Sequence, residues 1–106
     1  MLVVTTNDIA GFRVSKVHGM VRGVTVRSRS IIGNIGGAIQ SVFGGNITVY
    51  TTLAETARRE AYDLMVDHAR DLGANAILAM RYDANEIMDG ITEVLAYGTA
   101  VTIEPV

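Results

Sequence analysis

Three features of this 106-residue chain predict an α+β fold that associates with copies of itself. Apolar residues recur at helical spacing from Thr52 to Leu72, whereas Phe12–Ser28, Ala74–Asp83 and Ile91–Ile103 carry the alternation or unbroken apolar character of strands. The third feature is a gap in charge. No charged residue falls between Ser30 and Ala54, and five of the eleven glycines lie there. Uncharged, glycine-rich backbone of that length calls for a partner surface.

Leu2 to Thr5 forms a short β-prone run that ends at the Asn7–Asp8 turn signal and Gly11. Phe12 to Ser28 reads as one long strand or a kinked pair, with apolar residues at Phe12, Val14, Met20, Val24 and Val26 and polar ones at Arg13, Ser15, Thr25 and Arg27. Val17 and Val21 break that alternation beside Gly19 and Gly23, which predicts a bulge or bend there. Ser30 then opens a second helical pattern through Ile31, Ile35, Ile39 and Phe43, with Ser30 as N-cap. Its interior glycines Gly33, Gly36 and Gly37 would each cost about 1 kcal/mol relative to alanine, so packing must support it.

The 52–72 helix is the strongest element. Thr52 with Glu55 reads as a capping box, and Tyr50, Leu53, Ala57, Ala61, Leu64, Met65, His68 and Leu72 follow on one face. Glu55 and Arg59 are spaced for an i, i+4 ion pair, and Gly73 supplies the left-handed residue that ends the helix. In the C-terminal part, a hairpin centred on Ile87 would set Arg81 opposite Glu93 and Ile77 opposite Tyr97. Residues 84–90 form its loop. The last strand, apolar on both sides, reads as covered on both faces.

Composition narrows the function classes. Single cores typically occupy about 50–200 residues, so residues 1–106 are expected to form one domain. A domain of this size buries only about 60–70% of its unfolded surface; an apolar content of 49% is more than it readily hides. The net charge of −2 lacks the basic footprint of a nucleic-acid binder. No cysteine is present, which removes disulfides, zinc–thiolate sites and thiol catalysis. The start, Met-Leu-Val-Val-Thr-Thr-Asn-Asp, has neither the basic nor the apolar region of a signal peptide, so a cytoplasmic location is expected. No run of 18 apolar residues exists, and no membrane span is expected.

The run Gly73-Ala74-Asn75-Ala76-Ile77, then Arg81-Tyr82-Asp83, Glu93, and Ala96-Tyr97-Gly98-Thr99-Ala100-Val101, resembles the YbjQ-like family of small bacterial and archaeal proteins. The resemblance extends over almost the whole chain, through the early Thr-Thr pair, Gly19, Gly23, Gly44-Gly45 and the Ala61, Met65, Ala69 helix face. It implies a dodecin-like α+β subunit: a curved antiparallel sheet on one long helix, plus the glycine-rich helix. It also implies a ring-shaped homopentamer, and a family labelled only as "putative heavy-metal-binding".

Candidate sites are few. Arg81, Glu93 and Tyr97 form the best polar triad for orienting a small ligand, although Arg81 and Glu93 equally suit a structural ion pair. His18, near the predicted bend, is the candidate metal ligand; one histidine per subunit around a ring axis would multiply a lone donor. His68, between Leu64 and Leu72, suits a packed position. Asp83, Glu86, Asp89 and Glu93 lack EF-hand spacing and read as solvated loop carboxylates. Gly33-Asn34-Ile35-Gly36 lacks the basic flanks of a phosphate or RNA loop.

These residues predict a non-enzymatic homo-oligomer, a pentamer by the family resemblance, that holds a small molecule or metal ion at subunit junctions. A structural or adaptor ring without ligand is the alternative. A third is an enzyme with a shared site at Arg81, Glu93 and Tyr97. No particular cofactor is indicated.

Overall fold

A computed structural model of the chain describes residues 1–28 and 48–106, with helix side chains described from Thr51 onward. The helix predicted to open at Ser30 lies outside the described residues. Among the described residues the order is β1 (Leu2–Val3), β2 (Phe12–Ser28), α1 (Thr48–Asp71), β3 (Ala76–Met88) and β4 (Ile91–Pro105). The four strands form one sheet in the order β1-β3-β4-β2. It is mixed rather than wholly antiparallel, because β1 runs parallel to β3.

β2 has the predicted bounds and pairs with β4 along its whole length, from Phe12↔Pro105 to Ser28↔Ile91. The register shifts twice, between Val14 and Lys16 and between Val17 and Gly19. Gly19, with φ of 113°, takes a conformation that a side chain would strain. The predicted bulge is therefore present at Gly19. Gly23 has a different cause: a Cβ there would overlap the Ala61 carbonyl oxygen and come 2.5 Å from the Met65 amide nitrogen. Helix and strand backbones meet closely at this point.

That contact decides which face of β2 becomes core. Val21, Gly23 and Thr25 are buried, while Met20, Val24 and Val26 lie on the opposite, exposed side. The helix packs through small side chains, Ala57, Ala61 and Ala69, with Met65 and Val66 filling between them. Thr25 brings its hydroxyl 3.2 Å from the Ala57 carbonyl, which it donates to, so the buried polar atom is satisfied. Arg27 pairs with Glu60 at the margin of the same layer.

α1 begins four residues before the predicted capping box. Thr52 is inside the helix, and its carbonyl accepts the Thr56 hydroxyl at 2.9 Å; the residues before it do not break the helical hydrogen-bond ladder. Leu64, His68 and Leu72, predicted on the buried face, are exposed because the close backbone approach narrows the buried stripe to the alanine line. Glu55 and Arg59 form no ion pair. The C-terminus is as predicted: Gly73, at φ 86°, donates to the Arg70 carbonyl and Ala74 to the Ala69 carbonyl, the two bonds of a Schellman motif.

The C-terminal hairpin turns at Asp89–Gly90, not at Ile87. β3 continues through Met88, so residues 84–88 are strand. Arg81 pairs with Tyr97, Asn85 with Glu93 and Ile77 with Ala100. The register slips between Leu78 and Arg81, where Ala79 adopts φ of 53°. The N-terminal segment secures this kink: Ala79 donates to the Thr6 carbonyl at 2.8 Å and Met80 to the Val4 carbonyl at 3.0 Å. Val4 and Ile9 also cover a second cluster, Ala76, Leu78 and Val101, on the face away from the helix. Beyond it no described residue covers that face.

Candidate functional site

The uncovered part of the sheet holds the sequence-predicted polar residues. Because Val94, Ala96 and Gly98 of β4 are buried toward the helix, Glu93, Leu95 and Tyr97 point the other way, half-buried. Pairing then fixes their neighbours as three rows across the sheet: Arg22–Tyr97–Arg81, Val24–Leu95–Asp83 and Val26–Glu93–Asn85. Directly opposed side chains in such rows lie about 4.5–5.5 Å apart at Cβ. Met20, Arg22, Val24, Asp83, Glu93, Leu95 and Tyr97 line an open cavity of about 320 Å³ on this face.

The structure splits the predicted triad. Glu93 and Tyr97 share the cavity, whereas the Arg81 Nη1 donates to the Thr5 and Met80 carbonyls, both at 2.8 Å. Arg81 therefore ties the N-terminal segment to β3. It is four ladder positions from Glu93, and the predicted ion pair is not formed, because the turn falls at 89–90 and moves the register. Arg22 supplies the cation in the cavity instead. Its even position in β2, between Met20 and Val24, was the signal that could have found it.

Asp83 is the second residue missing from the triad. Its Oδ1 accepts the Ala84 amide at 2.9 Å, and the carboxylate remains on the cavity wall. Arg22 and Tyr97 at one end and Glu93 at the other, with Asp83 beside the apolar floor of Val24 and Leu95 between them, can hold a small polar molecule by its two ends.

His18 lies outside this cavity. Its Nε2 sits 2.7 Å from the Thr102 hydroxyl oxygen. Among the described residues no three His, Asp or Glu side chains cluster as a metal-ligand set, and the chain has no cysteine. One chain's described residues do not fit a heavy-metal site, which wants thiolate or clustered imidazole donors. His68, expected to be packed, is exposed, and its Nδ1 accepts the Arg22 amide at 3.3 Å along the outer edge of β2. No helix among the described residues is long and apolar enough to cross a membrane.

Comparison with known proteins places this geometry in a family. The crystal structure of a protein of unknown function of the DUF74 family from Pediococcus pentosaceus has a similar fold, with a TM-score of 0.59 at 17% identity over 98% of both chains. A UPF0145 protein of Chromobacterium violaceum is 59% identical over 104 residues, covering 98% of this chain and 89% of the relative. A UPF0145 protein of Burkholderia mallei is 57% identical over 100 residues, covering 94% and 90%. None of these names denotes an enzyme. A family model described as "Putative heavy-metal-binding" matches residues 1–104, and with these relatives it shows that the chain belongs to the uncharacterised YbjQ (UPF0145) family.

Proposed function

We propose that the chain is a homo-oligomeric, non-enzymatic binding protein of dodecin-like type that holds a small polar molecule where its bare sheet face meets a second copy. The observation that carries this reading is the apolar, unprotected character of β2. Val17, Met20 and Val26 are 63%, 67% and 50% exposed, on a strand at the edge of the sheet. Long, exposed apolar edges are normally covered, since their free N–H and C=O groups template pairing with another chain. A neighbour seated there would also close the 320 Å³ cavity over Arg22, Glu93 and Tyr97.

Binding is favoured over turnover because a shared catalytic site at Arg81, Glu93 and Tyr97 would need those groups within reach of one substrate atom. Arg81 is held instead by two carbonyls. A pentameric ring is the assembly we favour. A metal ion is the second occupant to test, through His18 repeated around the ring axis.

Native mass spectrometry of protein purified without added metal or chelator tests the reading. The expected result is a homo-oligomer with retained mass that persists in wild type and dissociates in the Met20→Glu/Val24→Glu variant, with circular dichroism unchanged. A wild-type monomer at micromolar concentration would overturn it. An empty ring would instead favour the adaptor role, and metal retention lost in His18→Ala would favour the ion.

A further inference from the structure

A different cleft lies on the helix side of the sheet. Glu55, Arg58, Arg59 and Tyr62 follow one another at i, i+3, i+4 and i+7, which lines them along one stripe of α1. Tyr82 faces this stripe from β3, because it pairs with Ala96, whose side chain is buried toward the helix. Together these five residues line an open cleft of about 480 Å³. The Arg58 guanidinium lies 5.5 Å from the centre of the Tyr82 ring. That stacking holds the guanidinium while leaving its N–H edge to fork an oxyanion.

Neither Arg58 nor Arg59 forms an ion pair with any carboxylate among the described residues. Glu55 shares the cleft wall without reaching them. Two cations with two phenols beside them present donors, and the Glu55 carboxylate is the acceptor on the same wall. Burial, and then the negative charge that Tyr62 would carry, hold the Tyr82 pKa above its ordinary 10.0 against the opposing pull of Arg58, so the phenol remains a donor at neutral pH.

A second cavity, of about 270 Å³, adjoins the first and shares Arg58 with it. It runs between the N-terminal half of α1 and the hairpin, lined chiefly by Leu53, Ala57, Ala84 and Val94. An apolar slot thus lies beside a cationic cleft, and Arg58 lines both. We propose that this pair of cavities binds a small amphiphilic anion, a carboxylate or phosphate monoester on a short apolar chain, with its head on Arg58 and Arg59 and its tail in the Leu53–Val94 slot. The site lies within one chain and on the opposite side of the sheet from the Glu93–Tyr97 cavity, so it does not depend on the assembly reading.

Calorimetric titration of the full chain with octanoate and with octyl phosphate tests this, with acetate, inorganic phosphate and octanol as half-ligands. At least one of the two amphiphiles is expected to bind once per chain, at least tenfold more tightly than either of its halves; which one does so identifies the head group. Arg58→Gln/Arg59→Gln should weaken that binding at least tenfold while octanol binding is unchanged. Amide chemical shifts in wild type provide a measurement independent of the variant's folding: the changes should fall on residues 53–62, 82–84 and 92–94. Octanol binding as tightly as both amphiphiles, binding of neither amphiphile, or shifts confined to the Met20–Val24 face would overturn the proposal.

Discussion

Gly23 shows how one absent side chain sets the distance between two layers. The Ala61 carbonyl and Met65 amide occupy the space that a Cβ would need, and both are backbone atoms that cannot rotate away. Gly23→Ala is therefore expected to destabilise by about 3 kcal/mol, at the upper end of overpacking costs, as read from denaturant midpoints. A loss below about 0.5 kcal/mol would mean that the helix does not sit where described. The sequence made Gly23 conspicuous but attached the wrong cause to it. Alternation reveals that a strand has two unlike faces; it does not reveal which one a helix will choose. Here the helix chose the side of Val21, Gly23 and Thr25, where its own alanines fit, over the more apolar side of Met20 and Val24. Backbone proximity outweighed side-chain hydrophobicity, and no period encodes that.

Elements were more legible than their register. The bounds of β2, the stop at Gly73 and the bulge at Gly19 follow from local chemistry, namely β-branched alternation and glycine's tolerance of positive φ. The hairpin register did not follow. Its turn was misplaced because Ala84 to Met88 lacks the apolar signature of a strand, although those residues extend β3 as an exposed arm. The left-handed Ala79 kink, an alanine with nothing to mark it, shifts the ladder again. Consequently the Arg81–Glu93 pair dissolved, and Arg22, from a different strand, is the cation that lines the cavity with Glu93 and Tyr97. A pair of double-mutant cycles checks this arrangement. Arg81 and Glu93 should show coupling near zero, whereas Arg27 and Glu60, paired at the rim of the helix layer, should show about 0.5 kcal/mol, the usual scale for exposed ion pairs. Coupling of more than about 1 kcal/mol between Arg81 and Glu93 would contradict the observed register.

At the scale of the whole molecule, the described residues form an extended body. It measures 56 × 25 × 19 Å with a radius of gyration of 17.2 Å, where a compact domain of about 100 residues has about 13 Å. The excess reflects the long β2–β4–β3 arm, whose far end carries Ile87 and Met88 at 54% and 66% exposure. A chain so drawn out gains little from its own core, and its stability should depend on mass action. The thermal midpoint is expected to rise by several degrees between low and high micromolar protein, measured by scanning fluorimetry or circular dichroism. A midpoint independent of concentration over that range would mark a self-sufficient monomer. The excess of apolar residues was visible in composition, while the gathering of Val17, Met20, Val24 and Val26 on the outer side of β2 was not.

The unequal dressing of the two sheet faces has one more consequence. On the inner side, Gly23 and Ala61 leave no tolerance, so any change of shape there is felt by the scaffold. On the outer side, Met20, Arg22, Leu95 and Tyr97 rest on a platform that is already built without them. Their identities can be exchanged without disturbing the packing of helix on sheet, so that what changes is the surface offered to a neighbour. A protein engineer, or descent with modification, is thereby handed a fixed chassis with an interchangeable panel.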